Sequence, residues 1–252
     1  MDYVSFGHGP RTLIIIPGLS DGLTTVKGKA VLLAGPYREF FDGYTIFMFS
    51  RRNALPEGFS IRDMADDQAK ALKQLGKESV SVLGVSQGGM IAQCLAVSHP
   101  GLVEKLVIAV SAPDANALVK ERLDRWMRLA EEGDHKQLMI DTAENSYSNA
   151  YLKKYRKIYP VIGLIGRPKN YERFMANAKA ILAFNGEAEL SRISCPTLII
   201  GGSEDRIVGA EASYRMHEMI KDSELHIYEG LGHAAYEEAA DFNKRVFAFL
   251  DR

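Results

Sequence analysis

Only two cysteines occur in the 252 residues, Cys94 and Cys195. They stand far apart and form no C-x-x-C or mixed Cys/His pattern, so the chain predicts neither a disulfide framework nor a metal site, and no cofactor is implied. Long apolar runs are missing as well. No stretch approaches the roughly 18 apolar residues needed to cross a bilayer. The opening "MDYVSFGHGPRTLIIIPG" lacks the basic start and continuous apolar core of a secretory signal, which predicts a cytoplasmic location. Nor is there an excess of either charge: 31 Lys and Arg face 32 Asp and Glu, a formal net charge of -1. This balance points to neither nucleic acid nor an anionic membrane. The expected partner is a small-molecule substrate, and the expected assembly a monomer or homodimer.

What the chain has is alternation. Short β-branched runs stand at "RTLIIIPG" (11 to 18), "YTIFMFS" (44 to 50), "SVSVLGV" (79 to 85), "KLVIAVS" (105 to 111), "PTLIIGG" (196 to 202) and "ELHIYEG" (224 to 230). Runs of this kind read as strands buried on both faces. Helical spacing fills the gaps at roughly 28 to 41, 61 to 76 and 88 to 100, and again in "EASYRMHEMIK" and "DFNKRVFAFL". The fold predicted is α/β, a mostly parallel sheet with helices on both faces, whose strand C-termini share one ligand-binding edge. From about 114 to 190 helical patterns follow one another without a strand. Val119, Leu123, Trp126 and Ala130 fall on one helical face there, as do Tyr171, Phe174, Met175, Ala178, Ile181 and Leu182. The division predicted is a core of residues 1–113 and 191–252 with a helical cap inserted at 114–190.

The chemistry-bearing stretch is "GVSQGG", residues 84 to 89. Ser86 lies where a strand must turn at once into a helix, flanked by Gly84 and Gly88, the context of a Gly-x-Ser-x-Gly elbow. Such a turn presents the hydroxyl at the sheet edge, beside the free amides of the helix N-terminus. A serine hydroxyl is a weak nucleophile and needs a base and a group to orient it. Asp205 follows the strand "PTLIIGG" by a short loop and His233 follows the last strand, in the order that elbow-type sites require. Asp114 and Glu204 are rivals for the acid. His8, His99, His135, His217 and His226 have no comparable placement. For an oxyanion the elbow offers the N–H of Gln87; "IIIPGLSDG" offers that of Leu19, with Gly18 allowing a sharp turn.

These stretches together resemble the α/β-hydrolase superfamily over nearly the whole length: "IIIPGLSDG" as oxyanion loop, "GVSQGG" as elbow, "GGSEDRIV" as acid loop and "GLGHAAYEE" as histidine loop. Two departures stand out. Pro17-Gly18 replaces the His-Gly of many relatives, and "SRRNALPEG" stands where an Asp-x-Arg-Gly stretch is common. Arg51 and Arg52 could meet an anionic substrate, although an arginine here more often braces the loop. In the cap, Tyr147, Tyr151, Tyr155 and Tyr159 recur every fourth residue. With Trp126 and Phe174, Tyr147 and Tyr151 are the candidate substrate contacts, packing within the cap being the alternative. The resemblance implies a serine esterase acting on a small carboxylic ester. C–C bond hydrolase, lyase or cofactor-free perhydrolase chemistry, or a ligand sensor with a silent triad, remain open.

Overall fold

The computed structural model describes residues 1–164 and 166–252. Its seven strands are β1 (Tyr3–Phe6), β2 (Arg11–Ile16), β3 (Tyr44–Phe49), β4 (Val80–Val85), β5 (Val103–Ala109), β6 (Thr197–Gly202) and β7 (Ser223–Tyr228). They form one sheet in the order β1-β3-β2-β4-β5-β6-β7. Every pairing is parallel except that of β1 with β3. The six strands predicted are all present. β1 is additional: at four residues with Tyr3 48% exposed, it has no pattern of its own and becomes a strand only by lying along β3. β7, at the other edge, is only half-buried, unlike the central strands.

Along the central strands successive side chains enter opposite cores. Ile14, Ile16, Val82, Leu106 and Ile108 join one apolar cluster. Leu13, Ile15, Leu83, Val107 and Ala109 join the other. The first face is covered by α2 (Ile61–Gln74) and α3 (Gln87–Ser98), together with α9 (Ala210–Met219); the second by α1 (Ala30–Ala34), a 3-10 turn at Gly35–Phe40, and α11 (Phe242–Asp251). The helix expected over 28 to 41 is thus broken in two, where Gly35-Pro36 tightens the chain. A short α10 (Ala235–Glu238) precedes α11. None of the described helices is long and apolar enough to cross a membrane.

Between β5 and β6 stand α4 (Ala117–Glu131), α5 (His135–Ser146), α6 (Asn149–Tyr155), α7 (Tyr159–Ile162) and α8 (Glu172–Leu182). The ends of this stretch meet: Asp114 and Asn185 form an isolated antiparallel bridge, Ala115 N–H donates to Phe184 O at 3.1 Å and Gly186 N–H to Pro113 O at 2.8 Å.

α3 is buried on all sides from Gln87 to Val97 and lies unusually close to the sheet. A Cβ on Gly88 would fall 1.9 Å from the carbonyl oxygen of Ile16, and one on Gly84 would fall 2.5 Å from that of Gly88. Both glycines are therefore needed for space where β4, β2 and α3 converge. Gly88→Ala is expected to cost about 3 kcal/mol or more, because backbone rather than a flexible side chain must give way. Urea unfolding would measure it; a loss below about 1 kcal/mol would show that the helix moves freely.

Candidate active site

Ser86 occupies the single residue between β4 and α3, at φ 55° and ψ -120°. Among the described residues only Ser86 and Val110 are non-glycines with positive φ. For a β-branched residue this is a true outlier, and such strain persists only where surrounding bonds over-determine it. They do so here. Ser86 N–H donates to Ala109 O at 2.9 Å, while its carbonyl accepts from Gly89 N–H at 2.8 Å and from the Ser111 hydroxyl at 2.8 Å. Val110 N–H donates to Ile200 O at 2.7 Å. The Val110 turn thus delivers Ser111 to the underside of the elbow. Nothing in the run "KLVIAVS" signalled either residue's part.

His233 Nε2 lies 2.9 Å from Ser86 Oγ, and its Nδ1 lies 2.8 Å from Asp205 Oδ2. A carboxylate only accepts, so Nδ1 carries the proton and Nε2 is left to accept from the serine hydroxyl. Asp205 Oδ1 accepts from the N–H groups of Ile207 and Val208 at 2.8 and 3.0 Å. Burial works to raise the pKa of Asp205, but the attraction and hydrogen bond of His233, with the two backbone hydrogen bonds, outweigh it and hold the carboxyl below its ordinary value. Asp114 is engaged by Arg215 at 3.3 Å and Glu204 is exposed, so neither rival reaches His233. Of the other histidines, His8 pairs with Asp42, His99 with Asp66 and His217 with Ser223, His226 lies in β7, and His135 opens α5 against Tyr171. The loop bearing His233 is itself held from the stretch between β5 and β6: Ala234 N–H donates to Ser146 O at 2.8 Å, and Glu238 accepts from the backbone and hydroxyl of Ser148.

Gln87 opens α3 and Leu19 opens a 3-10 turn, Leu19–Gly22. First-turn N–H groups have no acceptor within their own helix, so both are available to a ligand. Gly18 has an ordinary extended backbone at φ -72° and ψ -168°, not the sharp turn expected of it. Its role is space: a Cβ there would lie 3.3 Å from the Cβ of Ser86 and 3.8 Å from its hydroxyl.

Beneath these amides lies a buried guanidinium. Arg51, with its side chain fully buried, donates through Nη2 to Pro17 O at 2.5 Å and Gln87 Oε1 at 2.8 Å. Its charge faces Asp21 at 3.5 Å, and Asp21 is shared with Arg173 of α8. Burial pushes the guanidinium pKa down to about 10, with Asp21 opposing and Arg173 assisting. Gln87 in turn donates to Asn177 of α8, to Oδ1 at 3.1 Å and to the carbonyl at 3.2 Å. Arg52 is occupied by Asp67. Neither arginine lines the serine cavity.

That cavity, about 120 Å³, contains Ser86, His233, Leu19 and Gln87 in its wall, and its apolar wall includes Val119, Leu123 and Trp126 of α4 and Ile181 of α8. Trp126 directs its Nε1–H to Asp141 at 2.9 Å and so turns carbon to the cavity. The other three candidate contacts fall outside it. Phe174 packs under Gly22, whose Cβ would fall 2.9 Å from the Phe174 Cα. Tyr147 donates to Glu237 at 2.5 Å and stacks on Tyr151, which stacks on Tyr155. The four tyrosines do not share one helix: Tyr147 is extended, Ser148 caps α6, and Tyr159 begins α7. Tyr151 lines a larger neighbouring cavity, about 590 Å³, which shares Gly18, Ser20 and Tyr236 with the first.

The sequence model described as alpha/beta hydrolase fold matches residues 11–240. A 2-hydroxy-6-oxononadienedioate/2-hydroxy-6-oxononatrienedioate hydrolase of Klebsiella pneumoniae is 30% identical across 98% of this chain and 89% of its own length. A Pseudomonas putida protein of that description is 26% identical across 99% and 91%. Among solved structures, the alpha/beta hydrolase enzyme MGS-M2 from a Medee basin deep-sea metagenome superposes with a TM-score of 0.86 at 20% identity, covering 100% of this chain and 94% of the other.

Two outcomes follow from the buried charges. Arg51→Met, which leaves the Pro17 carbonyl and Gln87 without their donor, is expected to lose about 3 kcal/mol in urea unfolding; an unchanged midpoint would show the network to be ornamental. Asp205 binds its charge more tightly when folded, so its stabilisation is complete above about pH 4 and is lost as the pH falls through its lower folded value. The stability gap between parent and Asp205→Asn should therefore narrow on acidification, and a gap constant across that window would contradict the arrangement.

Proposed function

The chain belongs to the alpha/beta hydrolase family, and on that footing we propose that it is a serine hydrolase cleaving carboxylic esters with a small apolar acyl group. The observation that carries this reading is the line from Asp205 through His233 to Ser86, at 2.8 and 2.9 Å. In the reaction His233 Nε2 takes the hydroxyl proton as Ser86 Oγ attacks the ester carbonyl. The oxyanion is received by the N–H groups of Leu19 and Gln87. As the C–O bond breaks, His233 returns the proton to the departing alcohol, and the acyl group stays on Ser86. Water then attacks the acyl carbon as His233 takes its proton; the bond to Ser86 Oγ breaks, the acid leaves, and His233 returns the proton to Oγ. Neither metal nor organic cofactor is needed. Residues 114–190 act as a helical cap that walls the acyl group from solvent, over a core of 1–113 and 191–252.

The relatives named as hydrolases of a dienedioate favour a second reading, C–C bond hydrolysis on the same residues. Such a substrate carries two carboxylates. Among the described residues, those lining the serine cavity and its neighbour include no Lys or Arg to pair with them, and this weighs for the uncharged ester.

The test is a fluorophosphonate label read by intact mass, followed by a panel of short aryl esters and a dienedioate. A single adduct on Ser86 is expected, with ester turnover falling on the order of 10⁶-fold in Ser86→Ala and His233→Ala. Faster cleavage of the dienedioate would transfer the assignment to C–C hydrolysis. An unlabelled parent would sink both enzymatic readings.

A further inference from the structure

The balanced net charge conceals a segregation. From Gly22 to Arg38 and from Asn145 to Tyr171 there is no Asp or Glu, while the two segments hold Lys27, Lys29 and Arg38, and Lys153, Lys154, Arg156, Lys157, Arg167 and Lys169. Nine of the chain's 31 basic residues thus stand in stretches free of all 32 acidic ones. The same segments carry the most exposed large apolar side chains of the described protein: Val31 at 91%, Leu32 at 75%, Leu164 at 81% and Val161 at 51%.

The segments are neighbours in space. A Cβ on Gly166 would meet Thr24 Cγ2 at 3.9 Å. Leu32 of the first segment and Tyr151 of the second both line the 590 Å³ cavity that adjoins the serine. Facing acidic groups account for only part of the charge: Glu144 holds Arg156 in a two-point pair, and Glu237 and Glu238 are taken by Tyr147 and Ser148. Lys153, Lys154, Lys157, Arg167 and Lys169 are all exposed.

We propose that α1 and the α6–α7 region form a docking surface for an anionic lipid bilayer, with Val31, Leu32, Val161 and Leu164 entering the interface and the lysines meeting the headgroups. Basic residues beside exposed aliphatic ones are the pairing that binds a protein along a charged bilayer without spanning it. An acidic protein would need an apolar patch matched to these four side chains, whereas a bilayer accepts them wherever they lie. The proposal differs from the expectation drawn from net charge because whole-chain charge averages over faces, whereas attraction falls off within a Debye length of about 8–10 Å.

Co-sedimentation of the full chain with vesicles tests the proposal without reference to catalysis. Retention is expected on mixed phosphatidylcholine–phosphatidylglycerol vesicles, not on phosphatidylcholine alone, and should weaken with salt. Lys153→Glu/Lys157→Glu and Val161→Ser/Leu164→Ser should each lower the partition roughly tenfold at an unchanged melting temperature. Equal recovery in the supernatant with both vesicle types overturns the proposal. So does a result in which charge reversal releases the protein while the apolar pair has no effect, which would assign the patch to a soluble polyanion or an acidic protein.

Discussion

A guanidinium sealed from water must find its counter-charge and acceptors within the protein, and the Arg51 side chain finds them in Asp21, the Pro17 carbonyl and Gln87. Those partners lie on the two segments that supply the proposed oxyanion donors, so one planar group sets their separation. A lysine would not serve as well: Nη2 alone holds the carbonyl and the amide while Nη1 faces Asp21, and a single ammonium would have to meet all three groups from one point. Through Arg173 and Asn177 the network continues into α8, so the seating of that helix and the geometry around Ser86 are parts of one hydrogen-bonded assembly.

Strain is the second constraint. Ser86 and Val110 both adopt backbone conformations that L residues avoid, and each is held by the sheet edge beside it. The cost, of order 1–3 kcal/mol per residue, is met by a core packed on both faces of the central strands. Strain at this point is also what lifts the Ser86 hydroxyl clear of its own helix and towards His233.

How far the sequence could be read follows from the range of each interaction. Strand runs, the glycines around Ser86, and the order of Ser86, Asp205 and His233 are local signals in fixed contexts, and the structure brings those three side chains together. Interactions between distant segments left no such mark. Arg51 and Gln87 are 36 residues apart, and Ser111 reaches Ser86 across 25. The tyrosine repeat misled for a related reason: a period of four suggests one helical stripe, but Ser148 starts a new helix in its midst, so Tyr147 turns to Glu237.

The bridge between Asp114 and Asn185 has an evolutionary consequence. A segment that leaves and re-enters a scaffold at one point can be exchanged for another of different length without changing the register of β5 on β6. The sheet and its polar residues can then persist through lineages while the stretch that shapes the pocket diverges. Substitutes in this chain are limited less by their ends than by one helix, since a replacement for α8 inherits the obligation to meet Asp21 and Gln87.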